Sequence, residues 1–210
     1  MNDMDHTLTT YVEREIIPRY EHFDAAHGVD HVRSVIARSL ELAARFEVDE
    51  RMVYAIAAYH DTGLAFGRER HHLDAGRILF EDGNLRRWFT DEQLATMREA
   101  VEDHRASAEH APRTIYGRIV AEADRLIDPQ TIVRRTVQYG LAHYPALGRE
   151  EHYARCLDHL RAKYAEGGYL KLWIPESDNA RRLEELRVLI RDEVRLRELF
   201  LGIYDAESGR

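Results

Sequence analysis

Twelve histidines are more than a chain of 210 residues needs for packing, and several stand where a core side chain is expected. His31 precedes Val35 by one helical turn and so shares the inward face of its stretch. His104 continues the series Leu94, Met97, Val101 at helical spacing, and His72 does the same with Gly76 and Leu79. Asp124 falls between Val120 and Ile127, inside an apolar stripe where a lone carboxylate is costly to bury. The adjacent pair His60-Asp61 closes the most apolar run of the chain, Tyr54-Ala55-Ile56-Ala57-Ala58-Tyr59, and Thr62-Gly63 then turns the backbone out.

Any one of these imidazoles is more readily a satisfied core histidine than a ligand, and Asp124 alone could pair with Arg125. Buried together without a common partner, however, they would leave several groups unsatisfied at about 1–3 kcal/mol each. A shared cation answers all of them. Imidazole with carboxylate suits Fe, Mn, Zn, Co or Ni as a divalent ion, and is a poor match for Ca²⁺ or an all-oxygen Mg²⁺ cage.

The elements that must carry these residues read as helices almost throughout, which makes the fold class all-α. Asp5 to Tyr20 predicts a helix ended near Pro18, and Asp30 an N-cap for a helix bearing Val32, Val35, Ile36, Leu40, Ala43 and Phe46. A central helix follows over Asp49 to His60, then one over His72 to Phe80 that stops at Asp82-Gly83-Asn84. Thr90 caps a helix through His104, another spans about Thr114 to Ile127, and Asp128-Pro129 opens a further one through Tyr139. Two long helices, Arg149 to Glu166 and Asp178 to Phe200, flank Tyr169 to Ile174, the one stretch that looks extended. No linker or repeat interrupts the chain, so residues 1–210 are expected as a single domain, with a core over about 25–140 and a C-terminal extension over about 149–201.

Composition narrows the class further. The single cysteine, Cys156, excludes an internal disulfide and a thiolate-rich zinc site. A net charge of −8 argues against general nucleic-acid binding, which needs clustered Lys and Arg to neutralise phosphates. No apolar run is long enough to span a bilayer and the start is polar, so no membrane association and a cytoplasmic location are expected. The closing helix, rich in Arg and Glu with Leu183, Leu186, Leu189, Ile190, Val194 and Leu199, could pack on the core or form the seam of a homodimer.

The ordered set His31-x-x-x-Val35, His60-Asp61-x-Gly63 and Ala121-Glu122-Ala123-Asp124-Arg125 resembles the HD superfamily, named for its His-Asp pair. The resemblance covers roughly residues 25 to 140 and implies an HD-domain helical bundle with additional C-terminal helices, its metal held by His31, His60, Asp61 and Asp124. The segments His72-x-x-x-Gly76-x-x-Leu79 and Glu102-Asp103-His104 look like the two-metal branch that includes HD-GYP phosphodiesterases. In that branch Asp61 would bridge, with His72 and His104 on a second ion. No Gly-Tyr-Pro follows His104, and Leu64 stands where cyclic-dinucleotide enzymes have a Lys, which disfavours that substrate.

The implied activity is a metal-dependent phosphohydrolase acting on a small-molecule phosphate mono- or diester, such as a nucleotide, with one or two ions. Asp61 and Arg105 are the expected catalytic residues, and Arg105, Arg68 and Arg70 the expected phosphate contacts. His27 and His71 adjoin the expected ligands without being counted among them. The alternatives are a mixed-valent di-iron oxygenase resembling myo-inositol oxygenase, or a non-catalytic nucleotide- or metal-sensing module.

Overall fold

The computed structural model describes residues 6–24, 26–108 and 110–209; within them the chain is helical or irregular, with no strand. Asp5, the expected start of the first helix, lies outside the described residues. Two compact units divide the chain, Met1–Arg125 and Leu126–Arg210. The expected core of about 25–140 straddles that division.

In the first unit, α1 (His6–Glu15) gives way to a 3₁₀ segment, Ile17–His22, that accommodates Pro18 at its start. Helix α2 (Val29–Ala43) begins one residue before the expected cap, with Gly28 in that role and Asp30 in the first turn, where its charge favours the helix N-terminus. Helix α3 (Glu50–Tyr59) is capped by the Asp49 carboxylate, which accepts from the Arg51 amide at 2.9 Å. Every residue from Met52 to Tyr59 is buried, so α3 is the central helix, packed against α2, α5 and α6.

A 3₁₀ turn, Thr62–Phe66, leads to α4 (His71–Glu81), and a second, Gly83–Arg87, to α5 (Asp91–Glu102), whose N-terminus is closed by a reciprocal Thr90–Gln93 capping box. Helix α6 (Ile115–Asp124) is capped by Thr114. Two of these helices stop earlier than their apolar patterns predict. Helix α5 ends at Glu102, leaving His104 in the following turn, and α6 ends at Asp124 rather than near Ile127. Both chemically important residues therefore sit at helix ends, where the chain changes direction.

The second unit comprises α7 (Pro129–His143), α8 (Arg149–Tyr164), α9 (Asp178–Arg191) and α10 (Glu193–Ser208), with α7 packed on the other three. The single long helix expected over Asp178 to Phe200 is in fact two. Asp192 leaves the helical conformation (φ −92°, ψ 81°) and its carboxylate accepts from the Arg195 amide, opening α10. The stretch Tyr169 to Ile174 is irregular rather than a strand, because Tyr169 and Leu170 donate their amides back to the carbonyls of Ala162 and Lys163 at the end of α8. Among the described residues no helix is long and apolar enough to cross a membrane.

Candidate metal centre

Helix ends of the first unit deliver the polar side chains to one place. His31 comes from the first turn of α2, His60 and Asp61 from the end of α3, and Asp124 from the last residue of α6. His71 is the first residue of α4 and His104 follows α5. Among the described residues they form two groups, His31/His60/Asp124 and Asp61/His71/His104, and within each group the ligand atoms all lie within 4.8 Å of one another. His31 Nε2 is 3.2 Å from Asp124 Oδ1 and 3.2 Å from His60 Nε2.

Asp61 touches both groups, with a different oxygen for each. Its Oδ2 is 3.3 Å from His60 Nε2 and 3.5 Å from His31 Nε2, while its Oδ1 is 3.5 Å from His104 Nε2 and 3.6 Å from His71 Nε2. The Asp61 amide donates at 3.2 Å to the hydroxyl of buried Tyr20, which donates in turn to the Ala58 carbonyl at 2.9 Å. The carboxylate is thereby fixed from its backbone as well as from its partners.

Local hydrogen bonds select the ring tautomers. His60, His71 and His104 each direct Nδ1 at the carbonyl three residues earlier, Ala57 at 2.7 Å, Arg68 at 2.8 Å and Val101 at 2.6 Å. A carbonyl can only accept, so Nδ1 carries a proton and Nε2 is the nitrogen turned to the centre, the one that could give its lone pair to a cation. The acids create a strong demand for positive charge there. Burial opposes ionisation of Asp61, yet the surrounding imidazoles His60, His104 and His31 hold its carboxyl well below the usual range. Burial likewise opposes charging of His31, but Asp124 and Asp61 raise its pKa to about 9. Converging imidazole lone pairs with ionised carboxylates are the donor set of a divalent transition metal.

The structure sets His71 beside Asp61, where His72 was expected. His72 belongs to neither group; its Nδ1 is buried with no hydrogen-bond partner, and burial, followed by the His104 and His71 charges, lowers its pKa to about 4. The reason is where α4 starts. Successive helical residues differ by about 100° around the axis, so a helix opening at His71 and anchored through the Arg68 carbonyl turns one ring of the pair inward and the other aside. The signal available in the sequence was the doubled His71-His72 itself.

Close packing enforces this start. A Cβ on Gly63 would lie 2.0 Å from the His71 carbonyl oxygen and 2.6 Å from the Ala75 amide, so only glycine lets the turn after His60-Asp61 approach α4. Arg105 Nη1 donates to the Glu69 carbonyl at 2.9 Å, tying the turn after α5 to the same loop. Asp103, buried beside His104, accepts from the Arg113 amide at 2.7 Å and from its guanidinium. Arg68 is exposed and joined to His27, and Arg70 is exposed at the N-terminus of α4.

An all-helical unit whose His-Asp pair sits between a histidine on the preceding helix and an aspartate on a later one defines a recognisable class. Residues 28–127 match the family model of the HD domain. Among solved structures, one from an uncultured Thermotogales bacterium, described as a predicted HD superfamily hydrolase, is similar at 20% identity and a TM-score of 0.49, covering 72% of this chain and 82% of that one. No curated protein sequence matches the chain.

Proposed function

We propose that this HD domain is a metal-dependent phosphohydrolase that cleaves a small-molecule phosphate mono- or diester at a binuclear centre. The observation that carries the reading is the division of Asp61, one carboxylate oxygen facing each histidine group. His31, His60, Asp124 and Asp61 Oδ2 would hold one divalent transition metal, and Asp61 Oδ1, His71 and His104 the other. Bound there, such ions lower the pKa of water to about 7 and polarise a phosphoryl oxygen as Lewis acids.

The chain's own contribution is placement and charge. Asp61 fixes the spacing of the two positions, and the carbonyls of Ala57, Arg68 and Val101 keep three imidazoles in the tautomer that can ligate. Arg105, Arg68 and Arg70 supply the cationic side for phosphoryl oxygens, with Arg105 tied through Glu69 to the loop that bears the other two.

The test is turnover of a panel of phosphate mono- and diesters with added Mn²⁺, Co²⁺, Ni²⁺ or Zn²⁺. Hydrolysis that persists without oxygen, stops on chelation and falls to background in Asp61→Ala is the expected result. Silence with every metal, or a requirement for O₂, overturns it.

A further inference from the structure

His27 and Arg68 belong to neither ligand group, yet together they touch both. His27 Nδ1 lies 2.7 Å from Asp24 Oδ1, and its Nε2 lies 3.1 Å from Arg68 Nη2. The same Nη2 lies 3.3 Å from His27 Nδ1, so the guanidinium rests against the ring as a whole, the way arginine stacks on a flat side chain. The His27 ring meets His31 edge-on, with centroids 5.8 Å apart. At its other end, Arg68 offers its backbone carbonyl to His71 Nδ1 at 2.8 Å. Arg68 therefore runs from the His71 side of the centre to the His31 side.

The Arg68 side chain is 61% exposed, and its Nη2 also lies 3.8 Å from Asp24 Oδ2. A guanidinium offers five N–H donors in a fork that matches phosphate oxygens. Free in solvent, such a side chain gives up rotamer freedom when it grips an anion; held against His27, it has less to lose.

We propose that Arg68 anchors the phosphoryl oxygens of the substrate and that the Asp24–His27 pair is the device that positions it. His27 makes no contact with substrate and acts through the arginine. The inference rests on the phosphohydrolase reading and adds to it the pair that positions one of its phosphate contacts.

Calorimetric binding of inorganic phosphate to the Mn²⁺-loaded protein tests it. Arg68→Gln is expected to weaken phosphate binding about 10-fold, the scale of one lost charge-assisted contact, with metal content unchanged. His27→Ala should weaken it by a smaller factor, and the double variant should bind no more weakly than Arg68→Gln alone. His27→Phe, which keeps a flat ring against the guanidinium, should retain more affinity than His27→Ala. In turnover the same variants raise KM more than they lower kcat. An unchanged affinity in His27→Ala, additive losses in the double variant, or loss of metal from either single variant overturns the proposal. Phosphatase activity in the wild-type protein alongside an unaffected Arg68→Gln would sink this inference and leave the function standing. A wild-type protein that loads metal but hydrolyses no phosphate ester would sink the function, and this inference with it.

Discussion

His31 Nε2 and His60 Nε2 face each other at 3.2 Å, each also within reach of Asp61 Oδ2. Asp124 and Asp61 raise the His31 pKa to about 9. Burial works against that charge and the two carboxylates overcome it. Metal uptake at pH 7 must then displace a proton. Titration of Mn²⁺ in buffers of different ionisation heat should give apparent enthalpies that differ in proportion to the buffer term, with affinity rising as pH rises towards 9. Identical enthalpies in all buffers would contradict the assignment.

Gly63→Ala should disrupt the His71 side selectively. The added methyl collides with backbone atoms of α4, which cannot swing away as a side-chain tip can. A loss of about 1–3 kcal/mol in urea unfolding is the expected cost of such overpacking. Metal content should fall by one ion per chain while the His31 position stays filled. An unaltered metal content would show that α4 tolerates the displacement.

Asp82 provides a separate pH prediction. Tyr11 and Tyr59 each donate to Asp82 Oδ2 at 2.5 Å, joining α1 and α3 to the turn after α4. Burial would raise the Asp82 pKa, but the hydrogen bonds from Tyr11, Tyr59 and Asn84 outweigh it and hold the carboxyl below 3.8. A depressed folded pKa means stability that is present above the unfolded value and lost as pH falls through the folded one. Urea midpoints measured at pH 6 and about pH 3 should therefore drop less in Asp82→Asn than in the wild-type protein. Equal drops would remove Asp82 from the acid response.

Much of this was legible before any coordinates. The helix-face positions of His31 and His104, the His60-Asp61 pair and Asp124 all point to one place, because burying such groups separately is costly. Apolar periodicity found α3, whose burial is nearly complete, and the caps at Asp49, Thr90, Thr114 and Asp128 lie where short polar residues precede an apolar run. Helix ends were harder to read. An apolar stripe continues through a change of direction, so Ile127 is buried although α6 has stopped at Asp124, and α9 and α10 share one pattern across the break at Asp192. The choice between His71 and His72 turned on the same difficulty, since it depends on the residue at which α4 begins.

Metal content of the chelator-free, Mn²⁺-reconstituted protein is the most direct test of the binuclear account. Two ions per chain are expected in the wild-type protein and in His72→Ala, with one in His71→Ala. A single ion throughout, or an ion lost from His72→Ala and kept in His71→Ala, would contradict it.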